Sequence, residues 1–367
     1  MKARDYDDRR VDGARCAWSN AAVKPLPFAE PPIGERLRQL VSGYQVTQAI
    51  YVAVTLRLPD LLADGPRTAA DLAVEADADP RSLYRLLRAL GSLGILAEER
   101  HGDGRSFALT EMGQLLRSDI PGSLAGWAGF VARPYHWDAW GDLLHTVCTG
   151  QEAFAARHDG ESVWTWRERH PEESRIFDRA MSAIATGVAS RLADAYDFSR
   201  FRSLVDLGGG DGTMLATVLP RHPPLRGVLF DLPHVVARAR AVLAATGVAD
   251  RCDIVAGSFF EHVPSGGEAY LLKSILHDWD DTASTQLLRR VHEASQPGAA
   301  LLIVERTLAD VDPSPVAAMS DLNMMVNTGG AERTMTEWMV LIGSGGFELT
   351  RSVDIGQGWS VLEATRR

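Results

Sequence analysis

From Phe201 onward, short apolar runs alternate with stretches of helical pattern, and this alternation leaves the chain few architectures. The runs are SLVDL (203–207), GVLFD (227–231), CDIVAG (252–257), AYLLKSIL (269–276), ALLIVE (300–305), FELTRSVDI (347–355) and WSVLEAT (359–365). Most have no polar face to offer water, so both faces of their sheet must be covered. Strands alternating with helices build an α/β fold, a doubly wound parallel sheet with helices on both sides. Ligands of such sheets sit at the carboxyl ends of the strands.

The end of the first run therefore carries the most information. LVDLGGGDGTM (204–214) leaves the strand for Gly208, Gly209, Gly210, Asp211 and Gly212. Each glycine held in a fixed turn costs conformational entropy, which implies that something approaches the backbone there. The dinucleotide fingerprint G-x-G-x-x-G/A fails, because the sixth position counted from Gly208 is Thr213. A phosphate-binding P-loop fails too, because no Gly-Lys-Ser/Thr follows. Asp206, two residues before Gly208, is an acid within the turn, unfavourable to pyrophosphate but suited to an amino group or a sulfonium. Asp231 closes the second run, at the spacing of about 20 residues where a carboxylate holds ribose hydroxyls. Ser258 and Phe259 follow the third run, where a polar group and a ring can flank an adenine. A lone glycine-rich turn is equally an ordinary strand-to-helix connection. With Asp206, Asp231 and Ser258–Phe259 in register around it, the loop fits a phosphate-free, cationic nucleoside. S-adenosyl-L-methionine meets that description, with its carboxylate at the helix N-terminus.

The fourth run ends in KSILHDWDD, which brings Lys273, His277 and Asp278 to the same edge. A neutral histidine, with an unperturbed pKa near ~6.5, can take a hydroxyl proton at physiological pH. Methyl transfer from a sulfonium to oxygen needs a deprotonated nucleophile in line; the cation is itself the electrophile, so no metal is expected. Glu305, ending the fifth run, and Glu332, in NTGGAERT, are candidates to fix the imidazole tautomer. Glu332 lies in a loop and from spacing alone reads more readily as a solvent-facing charge. Lys273 is one of three lysines among 38 basic residues; chance placement is the simpler reading, with a role near the cofactor as the alternative.

The N-terminal half reads differently. Residues 1–32 are polar and read as a flexible arm. From Ile33 to about Leu58 the pattern is helical, and QAIYVAVTLRL is apolar nearly all round, which demands burial in a core or against another subunit. Thr68 and Asp79 suit N-caps, with Pro80 at a first helical position. ILAEERHGDGRSFALT then reads as two strands about a Gly-Asp-Gly turn, completing a winged-helix pattern over 33–120. A mainly helical, tryptophan-rich connector covers 121–198, and the sheet domain covers 199–367.

A winged helix admits a small-molecule-sensing DNA-binding regulator, since Arg81, Arg85 and Arg88 share one helical face. However, residues 60–120 hold eleven acidic and seven basic residues, and the whole chain has a formal net charge of −10. DNA affinity draws on counterion release by clustered basic residues, so no nucleic-acid partner is expected. An anionic membrane surface is disfavoured by the same charge, and no apolar run approaches the roughly 18 residues of a membrane span. The N-terminus lacks the apolar stretch of a signal peptide. Cys16, Cys148 and Cys252 are too far apart for a zinc motif or a disulfide framework, which points to a cytoplasmic setting.

The motifs LVDLGGGDGT, FDLP, GSFFEHVP, LLKSILHDWDD and NTGGAERT, in this order and spacing, give the chain a family resemblance. It resembles the S-adenosylmethionine-dependent O-methyltransferases of plant phenolic metabolism and of bacterial natural-product tailoring, over residues 33–367. The resemblance implies a Rossmann-like class I methyltransferase sheet, an N-terminal winged-helix-like dimerisation domain, a homodimer and a small aromatic acceptor. It implies His277 as general base, with Glu305 and Glu332 orienting it. The cofactor would be held by Gly208, Asp231, Ser258, Phe259 and Lys273, with Asp206 and Gly210 of the same loop completing the set. Ser258 and Phe259 depart from the aspartate and methionine usual in the plant pattern. Trp140, Met181, Met324 and Asn327 fall where relatives line the acceptor pocket, and Asp278 joins them beside His277. A methionine or aromatic stripe is also ordinary core packing. Some relatives bind the cofactor yet perform hydroxylation or decarboxylation, which keeps a second reaction class open.

Overall fold

A computed structural model describes residues 31–101 and 104–366. Residues 1–30 of the expected arm, Cys16 among them, and the first two residues of the Gly-Asp-Gly turn lie outside the described residues. The chain divides into a short unit ending at Tyr44 and a main unit from Gln45 onward. In the short unit, helix Ile33–Val41 buries none of its residues, and Ile33 and Leu40 are 88% and 72% exposed. Helix Gly43–Thr55, which leads into the main unit, buries only Ala53. Of the apolar stretch QAIYVAVTLRL, Ala53 and Leu58 are buried and Ala49, Ile50, Val54 and Leu56 are half-buried against the N-terminal core, while Val52 is exposed.

In the main unit the winged-helix pattern is present. Strands β1 (Arg67–Thr68), β2 (Leu96–His101) and β3 (Gly104–Leu109) form an antiparallel sheet in the order β1-β3-β2. Thr68 and Asp79 cap the helices Ala69–Glu75 and Pro80–Ser92, their side-chain oxygens accepting from Asp71 N at 3.2 Å and Ser82 N at 2.8 Å. Leu72, Leu83, Leu87, Leu90 and Phe107 form the core between them. Short helices follow from Ala125, and the 25-residue helix Pro171–Ala195 leads towards the large sheet.

That sheet contains β4 (Ser203–Leu207), β5 (Arg226–Asp231), β6 (Cys252–Ala256), β7 (Ala269–Lys273), β8 (Ala300–Leu308), β9 (Arg333–Thr334), β10 (Phe347–Gly356) and β11 (Trp359–Arg366). Its order is β10-β11-β8-β7-β4-β5-β6, with the short β9 beside β8. Strands β4 to β8 are mutually parallel, and inside the edge strand β6 they are buried on both faces, with Val205, Leu272 and Ile303 on one side and Leu204, Leu229 and Leu302 on the other. The last two runs depart from the all-parallel expectation: β10 and β11 form an antiparallel hairpin that also pairs antiparallel with β8. Gln357 and Gly358, at φ 55° and 77°, make a two-residue turn, which joins antiparallel strands but is far too short for a parallel crossover. From β4 the chain moves outward to β5 and β6, then crosses back to β7 and β8 on the other side of β4. The crevice at its carboxyl end is thus the topological switch point.

Candidate active site

At the end of β7 the chain turns sharply. Ser274 adopts φ 53°, a left-handed conformation uncommon for a residue with a side chain. The bend turns three successive amides towards one oxygen: Ile275, Leu276 and His277 donate to Glu305 Oε1 at 2.9, 3.1 and 3.5 Å. Val304 pairs with Lys273 across β7 and β8, so Glu305 stands level with the bend. The turn Leu276–Asp278 then presents the imidazole, whose Nδ1 lies 3.0 Å from Glu332 Oε1 and 3.5 Å from Glu305 Oε2. Glu332 is itself held: Ser320 Oγ donates to Oε1 at 2.7 Å, and Asp321 Oδ1 accepts from its amide at 2.9 Å. With Nδ1 occupied, Nε2 is the free ring atom; Asp278 Oδ1, at 3.7 Å, is beyond hydrogen-bond distance.

Two neighbours hold this turn in place. Arg333 is buried and donates to the carbonyls of Leu276 at 2.9 Å and Trp279 at 2.8 Å, and to Asp281 at 2.9 Å. Gly330 packs against it so closely that a Cβ there would lie 2.5 Å from the Asp278 carbonyl carbon and 2.7 Å from Trp279 N.

The electrostatics follow from this crowding of acids. Burial alone would push the His277 imidazole down, but Glu305, Asp278 and Glu332 outweigh it and hold the ring at about 10. Burial lifts Glu305 to about 7 against the pull of His277, and Asp278 to about 6 against His277 and Arg167. Glu332 is held below the ordinary carboxylate range: burial opposes this, but His277 and Ser320 favour the anion. The free protein at neutral pH therefore carries an imidazolium–carboxylate pair. A further positive charge in the crevice would favour the neutral ring, with Nδ1–H still on Glu332 and Nε2 ready to accept a proton.

The glycine loop borders the same turn. Gly208 and Gly210 take φ 68° and 65°, and a Cβ on Gly208 would meet Ile275 Cγ1 at 3.1 Å and Phe259 Cε1 at 3.6 Å. Nothing lies within 4 Å of a Cβ built on Gly210. The Asp231 carboxylate is pinned at the end of β5, accepting from Gly210 N at 2.8 Å and Leu232 N at 2.7 Å. Asp206 is placed differently from the sequence reading. It belongs to β4 rather than to the turn, is 1% exposed, and its Oδ2 has no partner and sits 2.6 Å from where a Gly209 Cβ would be. Burial, then Asp231, lifts it to about 7. Ser258 Oγ accepts from Phe260 N at 3.3 Å, and Phe259 stands edge-on to Trp279, two residues past His277. Lys273 Nζ lies 5.4 Å from the Trp359 ring; burial lowers its pKa against the pull of Glu305, Asp278 and Asp206. A glycine cradle with two carboxylates behind it fits a cationic nucleoside and repels a pyrophosphate.

The residues expected at the acceptor form a second group. Trp140 Nε1 and Asn327 Nδ2 both donate to Asn323 Oδ1, at 2.9 and 3.1 Å. Met324 is buried on the same helix, Pro315–Asn327, which also carries Ser320 and Asp321. Met181, half-buried on the helix Pro171–Ala195, precedes Ser182, whose hydroxyl donates to Asp211 Oδ2 at 2.7 Å. This bond ties the connector to the glycine loop, beside a cavity of about 520 Å³ lined by Arg179, Ser182, Asp211 and Arg238. Sequence reasoning missed Ser182, Asp211, Ser320, Asp321 and Arg333. Only Asp211 carried a local signal, since Asp-Gly-Thr is a pattern in which the side chain bonds the backbone two residues on; its Oδ1 accepts from Thr213 N at 3.2 Å.

Comparison with known proteins bears on both halves. A family model described as the O-methyltransferase domain matches residues 140–348, and one described as the O-methyltransferase dimerisation domain matches 38–119. The chain is 39% identical over 333 residues to the phenazine O-methyltransferase PhzM of Lysobacter antibioticus, covering 91% of this chain and 96% of that one. It is 39% identical over 334 residues to the mitomycin biosynthesis 6-O-methyltransferase of Streptomyces lavendulae, covering 91% and 95%. The crystal structure of human N-acetylserotonin methyltransferase in complex with SAM superposes with a TM-score of 0.85 at 27% identity, over 92% of this chain and 99% of that one.

Proposed function

The chain belongs to the O-methyltransferase family as an S-adenosylmethionine-dependent enzyme with a dimerisation domain, and we propose that His277 is its general base towards a phenolic hydroxyl of a small aromatic natural product. S-adenosylmethionine supplies, when bound, an electrophilic methyl group on a sulfonium centre. The backbone at Gly210 leaves open space where the cofactor would sit, Gly208 lets the loop pack against Ile275, and Asp231, with both oxygens fixed by amides, keeps lone pairs for ribose hydroxyls. Ser258 and Phe259 would flank the adenine, and Lys273 and the buried Asp206 would set the field around the cofactor.

His277 Nε2 takes the proton of the acceptor hydroxyl, and Glu332 stabilises the imidazolium that forms. Glu305 works on the backbone, fixing the turn through three amides. Trp140, Met181, Asp278, Met324 and Asn327 line the acceptor side. The relative named a phenazine O-methyltransferase supports a fused aromatic ring system as the acceptor. In this reading residues 33–120 join two protomers, 121–198 shape the acceptor pocket, 199–367 carry the chemistry, and the setting is the cytoplasm after the arm 1–32. Among the described residues no helix is long and apolar enough to cross a membrane.

The observation that carries the reading is the imidazole whose Nδ1 is engaged by a pinned carboxylate while Nε2 stays free. The test is His277→Ala assayed with methyl-labelled cofactor and a panel of phenols. Turnover is expected to fall roughly 10²–10⁴-fold while calorimetric cofactor affinity stays near wild type. Unchanged turnover would reduce catalysis to proximity, and wild-type conversion without label in the product would favour the hydroxylation or decarboxylation class.

A further inference from the structure

Arg167, on helix Val163–Arg169, is a charge that the reaction as described leaves unused. It is 5% exposed, and its Nε and Nη1 are buried without a hydrogen-bond partner. The guanidinium carbon lies 3.6 Å from the centre of the Phe177 ring, 5.1 Å from Trp164, 5.7 Å from Tyr135 and 5.9 Å from Phe130. The indole nitrogen of Trp164 is also buried and unpartnered, and the Tyr135 hydroxyl faces the guanidinium. Ring faces offset part of the cost of desolvating a cation. They do nothing for the in-plane N–H groups, and buried donors without acceptors are rare in native proteins.

No described carboxylate fills this gap. Glu173 pairs with Arg133, Asp178 pairs with Arg238, and no ion pair joins Arg167 to an acid among the described residues. Asp278 is near enough for Arg167 to oppose its rise in pKa. Trp164 stacks on Trp279 at 6.0 Å, which sets this aromatic cage against the segment that presents His277. The cage therefore borders the catalytic turn, is walled by rings, and holds N–H groups of Arg167 and Trp164 that receive no acceptor among the described residues.

We propose that Arg167 is a specificity-determining anchor of the acceptor site, donating to a carboxylate or carbonyl oxygen that the aromatic acceptor bears away from the hydroxyl to be methylated. The planar guanidinium matches a carboxylate through two parallel hydrogen bonds and a ring carbonyl through one. The proposal rests on the methyltransferase reading of the site, and its test separates the two.

Three probes serve: a hydroxynaphthoic acid, a hydroxynaphthoquinone, and the naphthol with neither oxygen. Calorimetry on the wild-type protein with S-adenosylhomocysteine present is expected to give at least about ten-fold tighter binding of the acid or the quinone than of the naphthol, in line with one charge-assisted hydrogen bond. Whichever binds more tightly identifies the oxygen. In Arg167→Gln the ratio of kcat/KM for that acceptor over the naphthol is expected to fall about 100-fold, mainly through KM, with Arg167→Lys intermediate. Equal binding of all three probes by wild type overturns the proposal, as does an equal loss for every acceptor in the variant. If Arg167→Gln does not fold, the wild-type binding series decides alone. Preferential binding without methylation of any probe would sink the activity reading and leave the anchor standing; methylation without preference would do the reverse.

Discussion

An imidazole held at about 10 is a poor base until something lowers it, and that fixes the expected pH behaviour of His277. A histidine whose folded pKa lies above its unfolded value near ~6.5 contributes stability that is full below that value and is lost as pH rises through about 10. Glu332 is one of the three acids that hold it there, and the one that accepts from Nδ1. Glu332→Gln is therefore expected to lower the His277 pKa in the free protein, read directly by imidazole NMR titration. The acid limb of the kcat/KM profile should move to lower pH, while the maximal rate falls about ten-fold or more because the imidazolium formed in the reaction loses its counter-charge. An unmoved titration would show that Glu332 does not set the charge of the ring. His277 and Glu305 could be found from sequence because both stand where parallel strands end. Glu332 could not be told from a surface acid, since it reaches His277 from a loop 55 positions away and loops carry no periodicity that reports a contact.

The elements explain how that contact is held. Strand β7 would continue past Lys273 if Ser274 stayed extended; its left-handed turn instead spends three amides on Glu305 and faces the imidazole towards the crevice. Arg333 fastens the same turn through the Leu276 and Trp279 carbonyls, and the backbone of Gly330 packs flush against it. A methyl group at 330 has nowhere to go but into backbone, so Gly330→Ala must displace the turn, the 329–332 loop or both. Displacing a base by about an ångström costs on the order of 10²-fold in rate when geometry carries the acceleration. The expected result is a loss of that size in kcat, with cofactor affinity little changed because the glycine cradle at 208–210 is a separate segment; wild-type kcat would mean that the loop yields freely. The parallel strands could be read from their unbroken apolar runs, and the capped helices from Thr68 and Asp79. The closing hairpin was misread as more parallel sheet, because its turn, Gln357–Gly358, is not a common hairpin pair and only the backbone angles identify it.

On the scale of the whole molecule, the open question in one chain is the surface of its first helices. An amphipathic segment exposes its polar side, yet helix Ile33–Val41 exposes Ile33, Leu37, Leu40 and Val41, and the next helix exposes Tyr44, Val46 and Val52. So many exposed apolar side chains call for a cover, and a family model for dimerisation matches 38–119, so a second copy is the natural one. In a two-fold interface each residue is used twice, once from each protomer. Burying a leucine is worth about 1.5–3 kcal/mol, so placing a charge at one leucine removes roughly 3–6 kcal/mol from the pair. That weakens association by about 10²–10⁴-fold. Leu40→Asp is therefore expected to shift the protein from dimer to monomer at micromolar concentration in light scattering coupled to size exclusion. The melting temperature of the wild type should rise with concentration, as binding linkage demands, and that of the variant should not. A wild-type protein that runs as a monomer at every concentration, or a variant that stays dimeric, would mean that these helices are covered by something other than a second copy.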